Sequence, residues 1–377
     1  LVAGNENVSI SSVKEFLRDH DHGGVMAVEA MAVLRHAAVH PMKSITSPSP
    51  PQPAVGIKDV ARAAGVAPAT VSRALGKGPI SDALREQVMQ AVRATGYRPN
   101  LAARRLRSQE TGTIGLMVAD IANPFFTGVA RAVEHAAFEA GLRVILCDSD
   151  RDPAREASYL QLMQEERVTG LIMAPTRATA QRLPGMALDL PTVLIDRAGP
   201  PGLFDSVLLD NAEAASGLVD HLVANGHRRI TGLFGETSDT GRARAEGYAT
   251  AMARHGLAPD ARFIPPATPP AEAALAVLRE ASPGALLAAN SLLLLGALRA
   301  SRQAGLRVPS DVALCGFDNE PWTELVEPGL TVVEQPLEEI GRGAMQLLFD
   351  RLRDPGAPVR KVMLSGRQVV RGSTAAR

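Results

Sequence analysis

From Thr113 onward, short apolar runs of strand length alternate with stretches whose apolar residues recur at helical spacing. The runs fall at 114–118, 144–147, 171–174 and 193–195, and the helical patterns at 125–140 and 156–167. A second set places strands near 230–234, 285–289 and 312–315, with helices over 212–225, 244–255, 271–281 and 292–304. Continuous apolar runs suit strands buried on both faces, and strand–helix alternation suits parallel crossover units. The expected body is therefore α/β, two doubly wound parallel sheets forming two lobes, with ligand loops at the carboxyl ends of the strands. Ahead of it, Val60, Ala61 and Ala64 form one apolar stripe, Gly65 supplies a tight turn, and Val71, Ala74 and Leu75 form the facing stripe of a helix that starts at Pro68. A third helix is expected from Ser81 as N-cap to Gly96, with Leu84, Val88 and Ala91 inward. This is a small all-α helix-turn-helix unit.

Composition sharpens the division. The 377 residues are 46% apolar and 21% charged with zero formal net charge, yet residues 56–110 hold ten Lys and Arg against four Asp and Glu, a local +6. A basic module on an acidic body suits nucleic-acid binding, and a solvated basic helix pair would show the same asymmetry. Cys147 and Cys315 each close an apolar run and are expected to be buried thiols. Neither a disulfide framework nor C-x-x-C spacing is present, which points to a reducing cytoplasmic setting. The longest apolar stretch, 285–298, falls short of the roughly 20 residues that span a bilayer, so no membrane partner is expected. Glu29 and Arg35 interrupt the apolar stretch 25–39 and argue against a cleavable export signal. Residues 1–55 read as an extension ending in a Pro/Ser-rich linker at 47–53, and translation is expected to start at Met42.

Specific motifs then narrow the class. Ile57-Lys58-Asp59-Val60-Ala61, Ala64-Gly65-Val66, Thr70-Val71-Ser72-Arg73 and Gly96-Tyr97-Arg98-Pro99-Asn100 follow one another in order. The chain from about 56 to 374 resembles the lactose-repressor (LacI/GalR) family of bacterial transcription regulators on these motifs. The resemblance implies a helix-turn-helix headpiece over 56–99, a hinge helix over 100–110 and a periplasmic-binding-protein-like effector and dimerisation domain over 111–374. It implies that Pro68, Ala69 and Arg73 face the major groove while Thr70, Ser72 and Tyr97 meet phosphates. Arg can fork onto guanine, and Pro and Ala offer only apolar contact to a thymine methyl. Ala67 departs from the Ser or Thr usual at this helix start, which costs on the order of 1 kcal/mol unless Pro68 compensates. In the hinge, Leu106 would wedge into the minor groove, with Asn100, Arg104, Arg105 and Arg107 along the backbone. So short a helix is expected to form only on DNA.

In the body, Asn123-Pro124-Phe125-Phe126, Ile195-Asp196-Arg197, Arg244 to Tyr248, Ala289-Asn290-Ser291 and Gly316-Phe317-Asp318 sit where an open α/β sheet presents ligands. They match the family's pocket motifs. Phe125, Phe126 and Trp322 are candidate flat walls, Arg197 and Arg244 fork donors, Asn290 and Asp318 hydroxyl partners, with Asp196 and Ser291 beside them. Phe125 and Trp322 read equally well as plain packing, and Asp196 as a brace. Ser291 replaces an aspartate common among sugar-binding members, which tilts the effector toward an anion such as a sugar acid or sugar phosphate.

An enzyme would need a motif absent here: Gly76-Lys77-Gly78 is no phosphate loop, and no G-x-G-x-x-G, G-x-S-x-G or H-E-x-x-H occurs. His36 and His40 have metal spacing but read as solvated, so no metal or cofactor is expected. A periplasmic sugar-binding protein would carry an export signal and no headpiece, and a scaffold would lack convergent polar loops. The expectation is a homodimeric repressor of carbohydrate-related genes on a palindromic operator, controlled allosterically by a small-molecule effector. Residues 130–140 are a candidate interface, and no leucine heptad follows Arg371. The N-lobe is expected at about 111–210 and 336–353, the C-lobe at 211–335 and 354–374, with crossings near Asp210, Gln335 and Asp354.

Overall fold

The structure is a computed structural model that describes residues 55–76, 78–97, 111–186, 188, 190–281 and 284–376. The N-terminal extension, the linker and the hinge expectation over 100–110 lie outside the described residues. The chain divides into two units, 1–100 and 101–377.

In the first unit, helices α1 (Ile57–Ala63), α2 (Pro68–Leu75) and α3 (Asp82–Thr95) close on Val60, Ala61, Ala64, Val71, Ala74, Val88 and Ala91. Gly65, with φ +63°, makes the turn between α1 and α2, and Gly96, with φ +67°, ends α3. Ala67 caps α2 without a side-chain bond, and Pro68 starts the helix with a residue that has no N–H to orphan. Arg85 on α3 donates to Ala74 O at 2.6 Å and Gly76 O at 3.2 Å, placing a cation on the carbonyl end of α2.

In the second unit, one six-stranded sheet has the order β11-β5-β4-β3-β1-β2, all parallel: β1 (Thr113–Val118), β2 (Arg143–Asp148), β3 (Gly170–Met173), β4 (Thr192–Ile195), β5 (Asp205–Leu209) and β11 (Lys361–Leu364). The other has the order β12-β10-β9-β8-β6-β7: β6 (Ile230–Gly235), β7 (Asp260–Ile264), β8 (Ala285–Ala288), β9 (Ala313–Phe317), β10 (Thr331–Glu334) and β12 (Arg367–Val369). This sheet is parallel, as expected, except at its edge, where β12 runs antiparallel to β10. Helices α4 (Pro124–Glu139), α5 (Pro153–Glu165), α6 (Arg177–Arg182) and α12 (Leu337–Arg353) serve the first lobe. Helices α7 (Asn211–Ala224), α8 (Asp239–Arg254), α9 (Pro270–Ala281), α10 (Ser291–Gln303) and α11 (Pro321–Leu325) serve the second. The central strands β1, β3, β4, β8 and β9 are buried along their whole length, which is why they read as apolar runs, and β5 is equally buried although it opens on Asp205 and Ser206. Both cysteines are buried and unpaired.

The chain crosses between lobes three times, after β5, after β10, and at Ser365-Gly366 between β11 and β12. The third crossing corrects the expectation of Asp354. After α12 the chain first returns to its own sheet, where Lys361–Leu364 pair with Ser206–Leu209 and Arg360 N donates to Asp205 Oδ1 at 2.8 Å. Asp205 is fully buried and also pairs with Arg351 at 2.9 Å, so burial of that carboxylate is offset by fixed donors that anchor the edge strand.

Candidate functional site

On α2, Val71 and Ala74 fill the headpiece core, so the opposite face carries Pro68, Ala69 and Arg73 into solvent. Positions 69 and 73 stand one turn apart on that face. Thr70, Ser72 and Tyr97 are half-buried, Tyr97 against the headpiece core. Asn100, Arg104, Arg105, Leu106 and Arg107 lie outside the described residues.

A cavity of about 710 Å³ opens between the two lobes, lined by loops at strand carboxyl ends. Those loops are built as helix N-caps: Asn123 accepts from Phe125 N at 3.1 Å, Thr176 from Thr179 N, Ser238 from Gly241 N and Asn290 from Leu293 N at 2.8 Å. Each cap turns a helix N-terminus toward the gap. With the Asn290 carbonyl so engaged, its amide N–H groups are what remains for a ligand.

Arg244, only 4% exposed, forms the centre of the second lobe's wall. Its guanidinium stacks 3.8 Å from the Phe317 ring centroid, donates from Nε to Asn211 Oδ1 at 2.7 Å and from Nη1 to Ala289 O. Burial lowers its pKa, with Asp318 and Asp196 acting the other way. Asp318 accepts at Oδ2 from Ser291 N at 2.9 Å and at Oδ1 from Gln335 Nε2 at 2.6 Å. Across the gap, Arg197 donates from Nη1 to Pro175 O at 2.8 Å, and its Nε lies 3.4 Å from Asp196 Oδ2. The Pro175–Thr176 loop is itself held by fully buried Glu156, which accepts from Thr176 N at 2.7 Å and Oγ1 at 2.6 Å. Burial pushes the Asp196 carboxyl up despite Arg197 and Arg244, and Asp318 adds to the rise. Asp196 and Asp318 hold φ of +64° and +76°, a left-handed geometry that is uncommon outside glycine and asparagine. Both strained residues end a strand at the cavity.

Of the residues singled out from sequence, Phe125, Phe126, Asp196, Arg197, Arg244, Asn290 and Asp318 line the cavity. Phe125 and Phe126 meet edge to face at 5.0 Å. Trp322 does not line it: four residues past Asp318 the chain has entered α11, and the indole packs against the second lobe's core. The aromatic beneath the ligand wall is Phe317. Ser291 is also absent from the lining, being buried at the first position of α10 and contributing its backbone N–H to Asp318. Sequence reading missed Asp150, Arg151, Arg177, Glu236 and Gln335, which line the same cavity. The polar runs that follow β2, β3 and β6 obey the strand-end rule already applied to the other loops and would have found all but Gln335. Arg177 of the first lobe faces Asp239 of the second at 3.9 Å across the mouth.

A headpiece built as a helix-turn-helix and a two-lobed body with a polar cleft define a ligand-responsive DNA-binding regulator. Residues 56–100 match the family model for bacterial regulatory proteins, lacI family, and residues 219–374 match the periplasmic binding protein-like domain. The chain is 36% identical over 326 residues to the HTH-type transcriptional regulator PtxS of Pseudomonas plecoglossicida, covering 85% of this chain and 96% of that one. It is 33% identical over 334 residues to the ribose operon repressor of Escherichia coli K12, covering 84% and 99%. The crystal structure of the lac repressor dimer bound to operator and an anti-inducer superposes with a TM-score of 0.77 at 25% identity, covering 86% of this chain and all of that one. A complex of the transcriptional regulator CelR with cellobiose gives 0.62 at 29% identity, covering 85% and 99%. The chain belongs to the lacI family of bacterial regulatory proteins: it is a DNA-binding transcriptional regulator with an effector-binding domain. Among the described residues, no helix is long and apolar enough to cross a membrane.

Proposed function

We propose that this regulator is a homodimeric repressor of carbohydrate-related genes, whose α2 helices read the two halves of a palindromic operator. Its effector is a small polyol-bearing molecule, a sugar, sugar acid or sugar phosphate, held between the lobes. The observation that carries the reading is the buried set Arg244, Asp318 and Arg197, each held by other protein groups before any ligand arrives, with Asp196 paired to Arg197 beside them. Donors and acceptors already fixed by the protein recognise hydroxyls at little ordering cost. Arg151, Arg177 and Arg242 join the two buried arginines around the cavity, against Asp150, Asp196, Glu236 and Asp318. That balance supports an anionic group on the effector, with the carboxylates left to accept from hydroxyls. The relatives named for ribose and complexed with cellobiose support the carbohydrate assignment.

Effector closing the lobes about the three crossings would reset the spacing of the paired headpieces. A preference of about 100-fold for one state supplies about 2.7 kcal/mol, enough to empty or fill an operator. The test is selection of bound DNA from a random pool by the full chain at fixed salt, followed by titration of the recovered site with D-ribose, D-gluconate and ribose 5-phosphate. A palindrome whose occupancy responds to one of these is expected. No enrichment over input at moderate salt would overturn the repressor reading, and a palindrome indifferent to all three would overturn the effector assignment.

A further inference from the structure

Two of the three crossing segments carry a buried amide side chain, and each amide holds one of the charged groups that the second lobe presents to the cavity. On the first crossing, Asn211 donates from Nδ2 to Leu209 O, at the end of β5, at 3.2 Å, and accepts at Oδ1 from Arg244 Nε at 2.7 Å. On the second, Gln335 donates from Nε2 to Asp318 Oδ1 at 2.6 Å, while its backbone carbonyl accepts from Leu337 N at the start of α12. Asn211 is 8% exposed and Gln335 7%, so neither bond is traded freely with water. The geometry points to Asn211 and Gln335 as positioning residues for the effector: each ties a ligand-facing charge to a segment about which the lobes turn. The orientation of Arg244 and Asp318 and the setting of the crossings then form one mechanical unit. This rests on the effector-cavity reading above.

Amide chemistry is required at both places. Asn211 sits between a carbonyl and a guanidinium, so it must donate on one side and accept on the other. Gln335 must donate to a carboxylate. A carboxyl in its place would face Asp318 and keep the bond only by retaining a proton. The charged groups around that position are Asp318 and Glu320 after β9, Glu334 ending β10, Glu338 and Glu339 on α12, Arg367 on β12 and, on the cavity side, Asp196, Arg197 and Arg244. Six carboxylates against three guanidinium groups, with Asp318 in direct contact, favour the protonated form of a seventh carboxyl.

The test titrates the full chain by calorimetry with D-ribose, D-gluconate and ribose 5-phosphate at about pH 5.5 and about pH 8, comparing each variant with wild type for the probe that wild type binds. Gln335→Met is expected to weaken that probe by about tenfold or more at both values. Gln335→Glu is expected to match that loss at the higher pH and to recover most of it at the lower one. Asn211→Ala should weaken the probe by about tenfold, and Asn211→Asp, which keeps the acceptor for Arg244 but sets a carboxylate against Leu209 O, should recover only part of it. A variant-to-wild-type ratio for Gln335→Glu that is equal at both pH values, or wild-type affinity in Asn211→Ala, would overturn the positioning roles while leaving the cavity reading intact. Failure of wild type to bind all three probes would instead remove the cavity reading and this inference with it. Ligand-free melting gives a second readout: a carboxyl with a raised folded-state pKa stabilises at low pH and loses that contribution as pH rises. Gln335→Glu should therefore melt progressively lower than wild type as pH increases, and a constant difference would also overturn the pairing.

Discussion

Gly247 sets how closely helix α8 approaches the start of α7, and a single methyl there should disturb both the fold and the cavity. A Cβ at this position would lie 2.1 Å from Ala212 O and 2.6 Å from Ala212 C and Cα, where ordinary contact begins at 3.4 Å. The obstructing atoms are all backbone, so no rotamer change relieves the clash and the helices must part by about 1.3 Å. Helix propensity favours Ala over Gly by roughly 0.5 to 1 kcal/mol. Overpacking costs typically 1 to 3 kcal/mol, and a rigid backbone obstacle puts this case at about 3. The net loss is about 2 kcal/mol, which lowers the melting temperature by about 4 to 8 °C in a body of this size. Gly217 on α7 is the control, because its added Cβ would meet only Gln368 Oε1 at 3.8 Å. There propensity is unopposed, and Gly217→Ala should raise stability by about 0.5 to 1 kcal/mol. Thermal and urea melts of the two variants should move in opposite directions. Since α8 carries Arg244 and α7 begins with Asn211, the same displacement should break their 2.7 Å bond and weaken the effector probe in Gly247→Ala alone. A Gly247→Ala protein as stable as Gly217→Ala would refute the close-approach reasoning.

Three further outcomes are expected. Arg244→Ala removes the stacked guanidinium over Phe317 and should abolish the effector dose response; an unchanged response curve would take Arg244 out of the site. Arg73→Ala should relax base preference at one position of each operator half-site, as read by repeating the DNA selection, and an identical selected sequence would show that Arg73 reads no base. Asp196→Asn tests the electrostatics: burial raises the Asp196 carboxyl, so wild type keeps its full contribution below the unfolded value near about 3.9 and loses it as pH rises through the folded value. Asparagine also tolerates the left-handed backbone, so the variant should gain on wild type in melting temperature between about pH 4 and about pH 8, and a gap that narrows with pH would sink the reading.

What could be read from the sequence, and what could not, follows from the range over which each interaction acts. The headpiece stripes are legible from helical spacing, Ser81 and Gly96 from their capping chemistry at the ends of α3, and the core strands because burial on both faces leaves an apolar run. Asp196, Arg197 and Asp318 were legible for the same reason, since each stands where such a run stops. Strands β11 and β5 were not. Lys361–Leu364 alternates exposed and half-buried positions at a sheet edge, and β5 opens on Asp205, whose burial depends on Arg351 far along the chain. Trp322 stays open between wall and packing in the sequence by the same limit, because nothing local shows that α11 sets its indole against the second lobe's core.

The charged residues that line the cavity at strand ends are legible one by one, whereas the groups that hold them are not. Phe317 beneath Arg244, Asn211 on its Nε, Gln335 on Asp318 and Glu156 on the Thr176 loop are each brought from another element. In a strand or helix their side chains read as ordinary apolar or polar positions. Only the fold puts Asn211 33 residues from Arg244 in sequence yet 2.7 Å away in space. A regulator that must change state with its ligand needs those charges held by the segments that move, and the crossings supply such holders. It follows that effector preference in this chain should be retuned more readily at the strand-end residues, and the strength of its response at Asn211 and Gln335.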